Sequence, residues 1–167
     1  MIIALVIGLT LALVLGPLLM LKPSSGLQKI AQLRQKAAQM GLLVQAHHHP
    51  AITAEGAWMF YLLPWPSFAT PTKIATWVLL RKNFDHDIHL KGHWDFQPPA
   101  PVAAISQTLK TQLESLPDHI VGIESTSAGV GVYWNERGGE QQLAAIYAWL
   151  DDLVSNLALQ PHNRQTP

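Results

Sequence analysis

The 167 residues include no cysteine. That excludes disulfides, thiolate metal centres and a cysteine nucleophile, though it leaves the compartment open. Charge is equally scarce on one side of the chain. No acidic residue occurs before Glu55, and only 13% of all residues are charged. Eleven basic and eleven acidic residues cancel overall, so no broad positive field exists to steer nucleic acid, and no nucleic-acid partner is expected.

Phosphate loops are missing too. Gly129-Val130-Gly131 falls inside a strand pattern, Gly138-Gly139 falls in a turn, and neither opens a G-x-G-x-x-G or Walker sequence. No serine sits in a strained strand-to-helix elbow. Spacing alone brings no two of Asp118, Glu124 and Glu136 together as an acid/base pair. The expectation is a protein without a cofactor, and a non-enzyme rather than an enzyme.

What the chain does have is a long apolar opening. Ile2 to Leu21 contains no charge and is interrupted only by Gly8, Thr10, Gly16 and Pro17. As a helix it would rise roughly 30 Å, about the thickness of a bilayer's hydrocarbon core. No positive n-region precedes it and Leu18-Leu19-Met20-Leu21-Lys22 offers no small-residue cleavage site, so a retained transmembrane anchor is expected. Lys22, Lys29, Arg34 and Lys36 follow directly. A positive flank stays inside, which predicts an outside N-terminus, a cytoplasmic domain, and the lipid bilayer as a partner.

The rest alternates recognisable elements. Leu27 to Met40 predicts an amphipathic helix capped by Ser24 or Ser25 and closed by Gly41. Its apolar stripe packs on the following domain or lies on the membrane surface. Strands are expected at 42–46, 57–63 and 74–81, with both faces of Ala57 to Leu63 apolar and hence central in a sheet. The Pro-rich link after that strand is long enough to join it to 74–81 as a wide hairpin. Val102, Ile105, Leu109, Leu113 and Leu116 mark a helix, His119 to Glu124 and Val130 to Trp134 a hairpin, and Glu140 to Leu157 a final helix. Gly129 and Gly131 leave room there for a close approach by backbone or helix.

The predicted architecture is α+β: an N-terminal transmembrane helix, then a mainly antiparallel sheet with helices packed on one face. The expected divisions are an anchor at 1–22, a juxtamembrane helix at 23–41, a cytoplasmic domain at 42–160 and a frayed tail at 161–167.

Two residue groups carry candidate chemistry. His86, His89 and His93 are spaced so that on a helix they would face one metal ion, with Asp85 or Asp87 nearby, whereas the adjacent histidines of the 47–49 run read as a loop and cannot all face one metal, so that run could only add to such a site. Lys91 between His89 and His93 on a strand opposes such a site. Trp134, Glu136 and Arg137, at the exit of a strand, could contact a partner.

The Lys22-Pro23-Ser24 exit, the Leu33-Arg34-x-x-Ala37 helix closing on Gly41-Leu42, and Val132-Tyr133-Trp134-Asn135-Glu136-Arg137-Gly138 together resemble a group of single-span bacterial inner-membrane proteins. Some of these are labelled as relatives of YajC, the accessory subunit of the preprotein translocase. The resemblance implies an inner-membrane location and a membrane-protein partner. The expected function is a membrane-anchored, non-enzymatic interaction or assembly module beside such a complex. The alternative is a tethered His-based metal-binding protein or metal-dependent hydrolase.

Overall fold

A computed structural model describes residues 1–20, 24–47, 49–52, 56–67, 76–82, 90, 93–98, 101 and 103–159. The backbone falls into two compact units, Met1–Gln32 and Leu33–Pro167, so the division lies inside a helix and not at either of its ends.

The first unit holds α1 (Ile2–Met20) and the beginning of α2 (Ser25–Gln39). Ile2, Ile3, Val6, Ile7, Leu9, Leu11 and Leu13 are all exposed on α1, and Thr10 donates its hydroxyl to the Val6 carbonyl at 2.6 Å. The expected transmembrane helix is corrected here: among the described residues, no helix is long and apolar enough to cross a membrane. The side chains described on α1 run from Ile2 to Leu13. That is about 18 Å of rise against a hydrocarbon core of roughly 30 Å.

α2 starts where Ser24 Oγ accepts a hydrogen bond from Leu27 N at 3.3 Å, and so Ser24 is the cap. It ends in a Schellman arrangement. Leu42 N donates to Ala37 O and Gly41 N to Ala38 O, each at 3.0 Å, with Gly41 at φ +87°. Glycine alone takes that left-handed conformation without penalty. The turn carries Leu42 into the same buried cluster as Leu33 and Ala37. The C-terminal half of the apolar stripe is therefore used for packing on the domain.

The second unit is a six-stranded, wholly antiparallel sheet with helices. Its strands are β1 (Leu43–Gln45), β2 (Met59–Pro64), β3 (Trp77–Arg81), β4 (Trp94–Gln97), β5 (Ile120–Ser125) and β6 (Gly129–Trp134). α3 (Ala103–Gln112), extended by a 3-10 turn at Leu113–Ser115, precedes β5, and α4 (Gly139–Leu159) follows β6. The spatial order is β1-β2-β6-β5-β3-β4. The expected hairpin between the second and third strands does not form, because β6 and β5 lie between them. β2 remains an inner strand, as its two apolar faces require.

Register divides the side chains into two faces. Tyr61, Val132, Ile123, Leu79 and Phe96 are successive cross-strand neighbours on one face. They join Leu109, Leu143, Ile146, Leu150 and Leu153 of the helices in one buried cluster. The opposite face carries Phe60, Leu62, Leu80 and Tyr133 with Ile52 from the loop before β2. Buried indoles are satisfied by backbone: Trp134 Nε1 donates to Arg137 O at 3.1 Å and Trp149 Nε1 to Gln112 O at 2.9 Å.

The β-sheet glycines explain the close approach expected of them. A Cβ on Gly131 would stand 2.5 Å from Phe60 Cζ. The Phe60 ring thus lies over bare backbone, filling the gap that a glycine leaves in a strand. A Cβ on Gly122 would stand 2.9 Å from Leu80 Cδ2 and 3.1 Å from Tyr133 Cδ2, the same device one strand away.

Candidate functional site

Two carboxylates gather polar side chains from distant parts of the chain, one at the exit of β6 and one on the sheet face that carries Phe60 and Tyr133. Glu136 lies just beyond β6 at φ +61°, a left-handed conformation costly for a residue with a Cβ. Both of its oxygens accept hydrogen bonds. Arg34 Nε donates to Oε1 at 2.6 Å and Arg34 Nη2 to Oε2 at 2.9 Å, a bidentate pair. The Tyr61 hydroxyl also donates to Oε1, at 2.8 Å. The Glu136 side chain is 9% exposed and Arg34 is 41% exposed, so solvent screens one end of the pair. The arrangement ties α2 to the end of the sheet.

Glu124 is the second centre. It accepts from the Tyr133 hydroxyl, and His47 Nε2 stands 3.7 Å from the same oxygen. The His47 ring stacks on Tyr133 with centroids 6.2 Å apart and meets Phe60 at 5.6 Å. This group brings a carboxylate, an imidazole and a phenol together on one face of the sheet.

Both phenols titrate above the usual tyrosine value. For Tyr61, burial is the main cause, followed by its hydrogen bond to Glu136 and that carboxylate's charge, with Arg34 opposing. For Tyr133, burial leads, then the bond to Glu124 and its charge. Arg34 is pushed up chiefly by its hydrogen bond to Glu136, with burial opposing. The consequence for stability has a definite sign. Unfolded tyrosines release their protons near 10.0, whereas the folded ones hold theirs to higher pH. Folding therefore keeps this contribution below pH 10 and loses it as pH rises beyond. Urea midpoints are expected to be flat near neutrality and to fall above pH 10 as tyrosinate absorbance appears. A double Tyr61→Phe, Tyr133→Phe variant should lack most of that fall, and an equal fall in both proteins would refute the assignment.

The residues singled out from sequence are distributed as follows. His86 and His89, with Asp85 and Asp87, lie outside the described residues, as does His48. His93 is exposed beside β4, and its carbonyl accepts from Lys82 N at 2.6 Å. His49 turns inward to its own loop, Nδ1 accepting from Ala51 N at 3.2 Å. Among the described residues, no three His, Cys, Asp or Glu side chains gather as a metal site. Trp134 is wholly buried and Glu136 nearly so, leaving Arg137 as the exposed member of that trio. Of the basic flank, Lys22 lies outside the described residues and Lys29 is exposed. Arg34 pairs with Glu136, and Lys36 with Glu140 at the start of α4.

Sequence reasoning placed Arg34 and Glu136 in different groups, 102 residues apart, and missed the Glu124, Tyr133 and His47 cluster altogether. One signal existed for the second: Glu124 is a lone charge within an otherwise apolar strand, and such a charge calls for a cross-strand partner.

Comparison with known proteins adds no relative: no family model, no curated protein and no solved structure matches the chain.

Proposed function

We propose that this protein is a non-enzymatic interaction module that attaches to a lipid bilayer through its N-terminal helix and offers its α+β domain to a membrane-protein partner. One observation carries the reading. α1 bears an uncharged run of large aliphatic side chains, with Ile2 at 81% and Leu13 at 69% exposure, and its hydroxyl-bearing Thr10 is satisfied within the helix. An exposed apolar surface of this size is costly in water and favours burial against hydrocarbon or another apolar surface. The domain supports the non-enzymatic half, since its Glu136 and Glu124 carboxylates are engaged in bonds that join strand to strand and helix to sheet. The resemblance of its N-terminal and 132–138 segments to inner-membrane proteins favours a bacterial inner membrane as the bilayer and an assembly there as the partner.

The test has two parts. Purified full-length chain is mixed with phosphatidylcholine vesicles and floated on a density gradient; it is expected to rise with the lipid. A variant with Ile3, Ile7 and Leu11 changed to serine is expected to stay at the bottom. Mild-detergent purification through a C-terminal tag is then expected to bring down a stoichiometric membrane protein. A chain that neither floats nor brings down a partner would refute the proposal.

A further inference from the structure

α1 has no polar side to turn toward water. Between Ile2 and Leu13 its only polar side chain is Thr10, and that hydroxyl is returned to the helix's own backbone at Val6 O, 2.6 Å away. At 3.6 residues per turn, Leu9 and Leu13 fall within about 20° of Ile2 around the axis, whereas Ile7 stands about 140° away and Leu11 about 180°. Both sides are open: Leu9 is 62% exposed and Leu11, opposite it, 52%. All the described side chains from Ile2 to Leu13 are exposed.

Three ways of covering such a helix make different demands. A helix lying in the plane of a membrane surface keeps a strongly polar face for water. A helix seated in the groove of a partner protein buries one apolar face and leaves the opposite one in solvent. A helix that is apolar all round needs apolar material on every side. The side chains of α1 meet only the last description. We propose that α1 is immersed around its whole circumference in the hydrocarbon of the bilayer, and neither lies half-submerged among headgroups nor docks a single face on a protein. The inference rests on the bilayer attachment proposed above and names its environment as acyl chains. Immersion does not require crossing: the described side chains rise about 18 Å, against roughly 15 Å of hydrocarbon in one leaflet.

The absence of cysteine makes the environment of each side measurable. Leu9→Cys and Leu11→Cys place a single thiol on opposite sides of α1, and Lys110→Cys, at an exposed position of α3, serves as the water-facing reference. Each full-length chain is floated with phosphatidylcholine vesicles, and its reaction with a membrane-impermeant maleimide is compared with that of the same chain without lipid. Apolar surroundings disfavour the reactive thiolate, so both α1 thiols are expected to react at least about tenfold more slowly on vesicles, with Lys110→Cys unchanged. One protected and one reactive thiol would show a helix lying at the interface, overturning the inference while leaving attachment standing. Two reactive thiols on a chain that floats would overturn it too, and would move the attachment to another segment. Protection of both thiols before lipid is added would overturn it in favour of a second copy of the chain as the cover. Failure of the wild-type chain to float would instead remove the attachment reading, and this inference with it. Cysteine is itself a small apolar side chain, so neither α1 variant removes the property under test.

Discussion

Replacing Gly129 by alanine is expected to lower the unfolding free energy by about 3 kcal/mol, the upper range for forcing atoms into a packed interior. A Cβ at this position would sit 2.1 Å from the Leu63 carbonyl oxygen and 2.8 Å from both Leu63 C and Pro64 Cα. All three atoms are backbone. They belong to β2, which is paired to β6 through six residues and cannot retreat without opening the ladder. Gly131→Ala makes the informative comparison. Its Cβ would meet the Phe60 ring at 2.5 Å and the Tyr61 carbonyl oxygen at 2.9 Å, so part of the clash falls on a side chain that can swing. A smaller loss, about 1–2 kcal/mol, is expected there. Urea unfolding with a common slope measures both. A Gly129→Ala protein within 1 kcal/mol of wild type would mean that the β2–β6 approach is looser than described.

The second large effect belongs to Glu136. Glu136→Ala removes both Arg34 bonds and the Tyr61 bond, leaving a buried phenol without its acceptor. Hydrogen bonds to a charged group contribute about 1.5–3 kcal/mol each, but solvent at Arg34 discounts two of the three, giving an expected loss of about 3 kcal/mol. The backbone adds a second reading. Alanine keeps the strained φ of +61°, whereas Glu136→Gly relieves it. The glycine variant is therefore expected to recover about 1 kcal/mol relative to alanine. Unfolding midpoints of the two variants separate carboxylate from conformation. Equal midpoints would show that the left-handed turn carries no strain, and an alanine variant as stable as wild type would show that the three bonds contribute nothing.

These two residues also mark what can and cannot be read from an uninterpreted chain. The glycines of Gly129-Val130-Gly131 announce a close approach because a strand has few other reasons to contain them. What approaches is not legible: the Leu63 backbone at one and the Phe60 ring at the other are more than sixty residues away. Glu136 announces even less. Its position in an Asn-Glu-Arg-Gly-Gly turn predicts a solvated charge, and only the folded chain brings Arg34 and Tyr61 to it. The reverse holds for Trp134. Its place at a strand exit suggested a contact for a partner, yet the chain needs that indole for its own core, where it packs edge-on to Tyr61 at 5.2 Å.

The sequence by itself determined the local elements. Three- and four-residue apolar periods predicted helices over 27–40, 102–116 and 140–157, which the structure places at 25–39, at 103–112 with a 3-10 turn to 115, and at 139–159, and Gly41 predicted a left-handed turn at the end of the first. Short apolar runs predicted strands at 42–46, 57–63, 74–81, 119–124 and 130–134, which the structure places at 43–45, 59–64, 77–81, 120–125 and 129–134. Each of these depends on residues within a few positions of one another, so the signal is contained in a short window. Tertiary structure alone decided the strand order, in which the β5–β6 hairpin separates β2 from β3. It also chose which face of the sheet the helices cover, and which carboxylate holds which cation. Those choices are settled by the total apolar area that can be buried at once and by pairings across a hundred residues, and no local pattern encodes either sum.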